Sequence, residues 1–246
     1  MSAAAAALAV DRLDLRIGRR LLLRQLNLSV RSGERWALLG RNGAGKSTLL
    51  RHMAGLGTEP LPVTLHGRAL AAHSPRELAR ERAFLPSQPR DRFGIAVLHA
   101  VMLAQASADE QAALAWLQRV DASHLAHRHV LALSAGERQR VALAQVLAQR
   151  APVLLLDEPV SFQDPAHQGL VARLLGELDA QAIVFAAHDV NWVAHLATHV
   201  LGLVPGGQWV AGPVSEVLNA QTLERLYRCG WTRVERPDGP PLWLPI

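Results

Sequence analysis

The only lysine of the chain stands in a glycine-rich segment whose spacing is typical of phosphate binding. The segment Gly40-Arg41-Asn42-Gly43-Ala44-Gly45-Lys46-Ser47-Thr48 matches the pattern G-x-x-x-x-G-K-[ST]. Its glycines let backbone N–H groups turn inward around phosphate oxygens without Cβ clashes. We expect Lys46 to bridge the β- and γ-phosphates and the Ser47 hydroxyl to ligate Mg²⁺. The segment therefore predicts a site for a nucleoside triphosphate.

Two adjacent acids end a continuous apolar run further along the chain. Residues 152–156 are all apolar and lead into Asp157 and Glu158, and unbroken hydrophobicity is typical of a parallel strand buried on both faces. Ligand groups gather at the carboxyl ends of such strands. We therefore expect Asp157 to hold Mg²⁺ and Glu158, which points elsewhere, to polarise the attacking water. A pair of solvated acids at a strand end is the alternative interpretation.

Two more polar residues follow short apolar runs and are candidates for the same sheet edge. His188 ends the run 182–187 and could reach the γ-phosphate and help to orient the water. Gln88 follows the segment 83–86, and its carboxamide could contact Mg²⁺ or the water. Taken alone, His188 fits a structural histidine equally well, and Gln88 is a weak signal.

A strand and two helices are needed to position these groups. Residues 35–39 have the pattern of a buried strand that leads into the glycine-rich loop, and residues 47–54 that of a helix starting on it. A second helix is predicted after Ser134, because Ser134 and Glu137 form a capping-box pattern before an apolar series at helical spacing. The start of this helix, with Gly136 in its first turn, is also a potential anion site.

Together these motifs resemble those of the ATP-binding-cassette (ABC) ATPases, in the same order and over nearly the whole chain. The family's signature motif corresponds here to Leu133, Ser134, Ala135, Gly136 and Glu137. The resemblance implies that two copies pair head to tail, so that the signature of one copy closes over the ATP bound by the other. Residues 160–164 resemble the family's D-loop, which would put Asp164 at the dimer seam.

The chain departs from the family pattern at two positions. Ala135 replaces the commonest glycine of the signature, a small change that should still permit close approach to the γ-phosphate. The family usually places an aromatic residue where it stacks on adenine, and Ile17 occupies that position here. Ile17 could pack on the ring, or a neighbouring arginine could stack on it. ATP is therefore inferred from the resemblance and not from this stretch.

The fold that the resemblance implies is an α/β P-loop NTPase fold of the ABC ATPase type. We expect a parallel core sheet around the phosphate loop, an antiparallel layer over roughly residues 8–39, and an inserted helical subdomain. The chain would form a single ABC ATPase domain over 1–246. Residues 1–88 and 151–246 would make the core with its antiparallel layer, and residues 89–150 the helical subdomain with the signature.

Composition limits the class of protein. Half of the 246 residues are hydrophobic, which provides ample material for a core, and one cysteine, Cys229, excludes a disulfide framework. No apolar run approaches the roughly 18 residues needed to span a bilayer. The formal net charge of +5 comes from scattered arginines, without a basic stripe, so we expect no nucleic-acid partner.

The resemblance also indicates which kind of ABC ATPase this is. A single cassette of this length resembles the separate subunits that dock on integral membrane permeases at the cytoplasmic face of the inner (plasma) membrane. In the family, the segment that corresponds to residues 89–94 receives the permease. Residues 187–191 and 212–219 resemble most closely the ATPases of vitamin B12, ferric-siderophore and haem importers, which serve a substrate-binding protein indirectly. The ATPase subunit of an exporter and a soluble non-transport ABC ATPase are the alternatives.

Overall fold

The computed structural model describes residues 6–57, 61–89, 94–180 and 182–246. Within these ranges the strands are β1 (Leu8–Ile17), β2 (Arg20–Val30), β3 (Glu34–Leu39), β4 (Val63–Leu65), β5 (Arg68–Ala69), β6 (Arg82–Leu85), β7 (Val153–Asp157), β8 (Ala182–Ala186), β9 (His199–Val204), β10 (Gln208–Pro213), β11 (Trp231–Val234) and β12 (Leu242–Pro245). The α-helices are α1 (Lys46–Met53), α2 (Pro75–Glu81), α3 (Val97–Met102), α4 (Glu110–Arg119), α5 (Ala135–Ala148), α6 (Pro165–Gly176), α7 (Val190–Leu196), α8 (Val214–Val217) and α9 (Ala220–Tyr227).

The core of the protein is a six-stranded sheet in the order β10-β9-β3-β8-β7-β6. All neighbours in it run parallel except β10, which is antiparallel to β9. Alternate residues of β7 join apolar clusters on opposite faces of the sheet, with Leu154 and Leu156 on one face and Val153 and Leu155 on the other. Burial on both faces explains the unbroken hydrophobicity of this strand and confirms the predicted parallel sheet.

A separate antiparallel sheet has the order β2-β1-β4-β5. The predicted limits of this layer, residues 8–39, were wrong at their end, because β3 pairs in parallel with β8 and β9 and belongs to the core sheet. The first two strands of this sheet end at Val30, and β4 and β5, within residues 63–69, complete it. The physical difference lies in burial: buried and exposed residues alternate over much of β2, whereas β3 is buried without a break from Trp36 to Leu39.

Helices α3, α4 and α5 pack against one another beside β6, the edge strand of the core sheet. We call α3–α5 with their connecting turns the helical region. Helix α5 begins with the predicted capping box: the Ser134 hydroxyl accepts from the Glu137 N–H at 3.3 Å, and the Glu137 carboxylate accepts from the Ser134 N–H at 2.8 Å. At its other end, the Gln149 side chain donates to the carbonyl of Arg82 at 3.1 Å, which attaches the helix to β6.

The C-terminal elements α8, α9 and the β11–β12 hairpin pack beside the antiparallel edge of the core sheet. Helix α9 approaches β9 so closely that a Cβ on Gly202 would lie 2.9 Å from the Leu226 side chain. In the part of the chain that the structure describes, no helix is both long and apolar enough to cross a membrane. Of the segment 89–94, in which the permease contact was predicted, residues 90–93 lie outside the described residues.

Candidate functional site

The glycine-rich loop lies between β3 and α1, at the carboxyl edge of the core sheet. Gly40 and Gly45 have φ values of +144° and +109°, which favour glycine. A Cβ on Gly40 would lie 2.9 Å from the carbonyl oxygen of Leu203, and one on Gly45 would lie 3.0 Å from the side chain of Leu22. Gly40 is therefore required by backbone conformation and by space, and Gly45 by its backbone conformation. The remaining loop positions comprise exposed Arg41, Asn42 and Gly43, and half-buried Ala44 and Thr48.

Lys46 is held inside this loop, with only 5% of its surface exposed. Its Nζ donates to the carbonyl oxygens of Gly40 at 2.8 Å and Arg41 at 3.4 Å. Burial lowers the pKa of Lys46, and the nearby carboxylates of Glu158 and Asp157 partly offset this effect. Helix α1 starts here without a side-chain cap and without an acid in its first turn, so its N-terminal N–H groups and the ammonium can face the same anion.

Buried Asp157 and half-buried Ser47 form a pair of oxygen groups next to Lys46. The Ser47 hydroxyl donates to Asp157 Oδ1 at 3.0 Å. Burial raises the pKa of Asp157, although hydrogen bonds from Ser47 and from Ser87 act in the opposite direction. Ser87 follows β6, the strand beside β7, and sequence reasoning missed it. A hydroxyl just beyond a core strand and next to Gln88 was the available signal.

Glu158 leaves the line of β7 because its φ is +54°. Its N–H donates to the carbonyl of Ala186 at 3.1 Å, so the backbone turns toward β8. Its Oε1 lies 2.6 Å from His188 Nε2, and its Oε2 accepts from the Ser161 hydroxyl at 2.8 Å. Burial alone would raise the pKa of Glu158, but the hydrogen bonds from Ser161 and His188 outweigh it and lower the pKa. The carboxylate is therefore ionised at neutral pH and can accept a proton.

The two other residues expected at this edge differ in their contacts. His188 is exposed at the end of β8 and contacts Glu158 directly, as described above. Gln88 is exposed beyond β6. Among the described residues its side chain forms no hydrogen bond. We infer that Gln88 is near the carboxylates because the preceding residue, Ser87, is hydrogen-bonded to Asp157.

A second residue that sequence reasoning missed lies behind Glu158. Gln139 of α5 is almost fully buried, and its Nε2 donates to the carbonyl oxygen of Glu158 at 3.1 Å. The signal was a glutamine within the apolar series of α5, because a polar side chain at a core position needs a hydrogen-bond partner. Ser161, which bonds the Glu158 carboxylate, was likewise not predicted. Together they fix both the backbone and the side chain of Glu158.

The signature residues from Ser134 to Glu137 lie at the start of α5, whereas Leu133, which precedes them, is buried in the core. Ser134 and Ala135 are exposed, and the Glu137 carboxylate, besides closing the capping box, accepts from Arg128 at 2.9 Å. The carbonyl of Gly136 accepts from the Gln163 side chain at 2.9 Å. Among the described residues, no hydrogen bond joins this segment to the phosphate loop of the same chain. The signature is thus presented outward from the chain.

The same exposed surface continues into the loop that follows Glu158. A Cβ on Gly136 would lie 2.9 Å from the carbonyl oxygen of Phe162, and the Phe162 side chain is 65% exposed. Asp164 caps α6 by accepting from the His167 N–H at 2.9 Å, and most of its side chain remains exposed. The predicted D-loop and signature residues therefore form one continuous outward surface.

A cavity of about 350 Å³ lies beside the phosphate loop. It is lined by the start of β2, residues 41–44, the turn between β9 and β10, and Arg228. Three of the lining residues are arginines, Arg20, Arg41 and Arg228, and none is acidic. Ile17, predicted to contact adenine, is 56% exposed at the end of β1; its register partner Arg20 lines the cavity, but Ile17 itself does not.

The known proteins to which this chain is similar include ATP-binding proteins of ABC transporters. The ABC transporter family matches residues 23–161. The chain is 41% identical over 226 residues to the hemin import ATP-binding protein HmuV of Streptomyces coelicolor, covering 87% of this chain and 81% of the relative. It is 32% identical over 255 residues to YusV of Bacillus subtilis, named as a siderophore transport system ATP-binding protein, covering 97% and 92%.

A solved structure covers the whole fold. A protein described as a metal-chelate type ABC transporter, in an inward-facing conformation, superposes with a TM-score of 0.80 at 26% identity and covers 98% of each chain. The subunit cbiO1 of Clostridium perfringens, part of the ABC transporter complex cbiONQ, has a TM-score of 0.72 at 25% identity. With its phosphate loop, strand-end carboxylates and signature helix in one fold, the chain belongs to the ABC transporter family as an ATP-binding, ATP-hydrolysing member.

Proposed function

We propose that this chain is the ATP-hydrolysing subunit of an importer for a haem-type or siderophore-type metal chelate. The named functions of HmuV and YusV, together with the metal-chelate transporter that shares the fold, support this class of cargo. Vitamin B12 is a metal chelate as well and belongs to the same proposal. The proposal that the chain hydrolyses ATP at this site is supported above all by the contact of 2.6 Å between Glu158 and His188, beside the buried Lys46.

The residues at the sheet edge fit MgATP as the substrate. Lys46, the loop N–H groups and the start of α1 would hold the phosphates, since they offer positive charge with no acidic cap in competition. Ser47 and Asp157 offer oxygen ligands of the kind that Mg²⁺ prefers, with Gln88 as a further candidate. Bound Mg²⁺ would neutralise charge on the phosphate oxygens.

Glu158 is proposed as the general base. Its Oε1 and Oε2 are held by two different donors, so the carboxylate has a fixed orientation toward the sheet edge. It would accept a proton from the water that attacks the γ-phosphate. His188 is proposed to keep the carboxylate in place and to orient the water, since its ring is exposed on the same side.

We propose that a second copy of the chain completes the site. The outward surface of Ser134, Ala135, Gly136 and Glu137, continued by Asp164, forms no hydrogen bond with its own phosphate loop among the described residues and would meet the ATP of the partner. Lys46→Ala and Ser134→Arg should each abolish hydrolysis alone. An equimolar mixture of the two variants should recover activity, because one composite site of a mixed dimer is intact; a mixture as inactive as its parts would contradict this arrangement.

The proposed partners follow from the proposal that the chain is a subunit of an importer. We propose that the subunit docks on integral permease subunits at the cytoplasmic face of the inner membrane through residues 89–94, and that it acts indirectly on a substrate-binding protein, without nucleic acid. Affinity purification from mildly solubilised native membranes, with mass spectrometry of the captured proteins, tests the proposal. A many-spanning permease together with a secreted binding protein supports import. A permease that belongs to an export system, or a soluble fraction with nucleic acid, contradicts it.

A further inference from the structure

His167 joins the core of the protein to the helical region. It lies in the first turn of α6, and 19% of its side chain is exposed. Its Nδ1 is 3.0 Å from Asp164 Oδ2, and its Nε2 is 3.0 Å from Asp121 Oδ2. Asp164 caps α6, whereas Asp121 follows α4 of the helical region. One imidazole ring thus bridges two carboxylates from different parts of the fold.

This geometry indicates the protonation state of the ring. Ionised carboxylates only accept hydrogen bonds, so both ring nitrogens must carry hydrogen for both contacts to form. The hydrogen bonds to Asp121 and, next, to Asp164 raise the pKa of His167. Arg140 of α5, whose Nη1 lies 3.3 Å from His167 Nε2, and partial burial act against them with smaller effect. The two carboxylates therefore outweigh the one guanidinium that faces the ring.

The segment that His167 holds is the one that carries Glu158. From the side of α5, the carbonyl of Glu158 is bound by Gln139, and the Gln163 side chain bonds the carbonyl of Gly136. The Arg140 guanidinium is 3.4 Å from the Gln163 side-chain oxygen. These bonds fix residues 158–163 against α5. The His167 pair fixes the far end of the same segment, at Asp164, against the end of α4.

We propose that doubly protonated His167 is a positioning residue for hydrolysis: by tying Asp164 to Asp121 it holds residues 158–164 so that Glu158 stays aligned. The proposal rests on the role of Glu158 proposed above. His167 forms no hydrogen bond or ion pair with the phosphate loop among the described residues, so its effect falls on kcat and leaves the KM for ATP within about twofold. Removing the tie lowers kcat at pH 7 by a factor between about 3 and 100, since small misalignments of catalytic groups carry costs up to that size.

The test is the pH dependence of kcat for the full chain. In the wild type, kcat falls as pH rises through the raised pKa of His167, because the imidazolium is lost there. We call this fall of kcat the alkaline limb of the pH profile. His167→Gln lacks this alkaline limb and has a lower kcat at pH 7. Asp121→Asn keeps the histidine but removes one carboxylate, so the limb moves to lower pH. His124→Gln, at an exposed histidine that contacts no carboxylate within the described part of the helical region, serves as the control and keeps the wild-type profile.

A histidine NMR titration of the full chain measures the same group without catalysis. We expect a His167 resonance with a pKa above the ordinary value of a histidine side chain, lowered by Asp121→Asn. An unshifted His167, or a kcat profile that His167→Gln leaves unchanged, overturns the proposal. A parallel rise in KM and loss of thermal stability with an unchanged alkaline limb would identify a merely structural role. A wild-type chain without any hydrolysis contradicts the proposed ATPase function instead, and the titration still decides on His167.

Discussion

Replacing Glu158 by glutamine separates catalysis from nucleotide binding. The carboxylate accepts from both Ser161 and His188, whereas a carboxamide has one acceptor oxygen and would turn an NH₂ group toward one of these partners. The variant therefore loses the basic group and one of its two orienting bonds at nearly constant volume. We expect turnover to fall by about 10²–10⁴-fold. This corresponds to about 2.7–5.4 kcal/mol of lost transition-state stabilisation, at about 1.36 kcal/mol for each factor of ten.

Nucleotide binding should survive this change. The hydrogen bonds of Lys46 Nζ go to Gly40 and Arg41, and the influence of Glu158 on it is purely electrostatic. Loss of the negative charge also removes a repulsion on the phosphates, so the affinity for ATP should stay the same or increase. Magnesium-dependent phosphate release measures turnover, and titration calorimetry with ATP measures binding separately.

The matched control is Glu110→Gln, which neutralises an exposed carboxylate at the start of α4, in the helical region. It should retain both turnover and affinity. Turnover of Glu158→Gln within about threefold of wild type would refute the assignment of Glu158 as the base. A simultaneous loss of ATP binding would show instead that Glu158 maintains the shape of the phosphate loop.

Three further outcomes are expected. Lys46→Ala should lose ATP binding in calorimetry, because the change removes the buried ammonium that the loop carbonyls hold in place; retained micromolar affinity would contradict the phosphate site. Gly136→Ala should lower the free energy of unfolding in urea by about 1–3 kcal/mol, because the added Cβ meets the Phe162 carbonyl at 2.9 Å. The control for this variant is Gly176→Ala, at a helix end with open space, which should be neutral or stabilising by up to about 1 kcal/mol. Asp157→Asn should raise the apo protein's unfolding free energy at pH 7 by about 0.5–2 kcal/mol while abolishing magnesium-dependent hydrolysis. The sign follows from the raised pKa: the ionised carboxylate destabilises the fold above its folded-state pKa, so the gain vanishes in acid, and an unchanged apo stability at pH 7 would contradict it.

The sequence predicted those features that depend on neighbours along the chain. The glycine-rich loop, the cap at Ser134 and the buried runs before Asp157 and His188 are patterns within about ten residues, where periodicity and capping act. They were found where expected, as β3 with α1, the start of α5, and the ends of β7 and β8. The order of these motifs was also sufficient to indicate the family that the comparisons then established.

Other features were outside the reach of local patterns. The resemblance implied an antiparallel layer over roughly residues 8–39, but β3 pairs in parallel with β8 and β9 and belongs to the core sheet. The pairing of β3 depends on its burial against distant strands, which a pattern along the chain does not record. Ser87 and Ser161 are small polar residues in loops. The position of Ser87 beside Gln88 was the one available signal, and nothing next to Ser161 in the sequence marks it as a partner of Glu158. Ile17 remains a prediction, and the structure adds Arg20 and Arg228 beside the phosphate loop.

The sequence by itself thus determined the chemistry that the chain carries and the elements that carry it, since these follow from residue type and short-range spacing. The tertiary structure decided which of these groups meet: Ser47 with Asp157, Glu158 with His188, and His167 with Asp121. Each of these pairs joins residues that are far apart along the chain. They come together because the parallel core sheet brings its carboxyl strand ends to one edge and packs the helical region beside it, a result of long-range pairing and burial that no local pattern records.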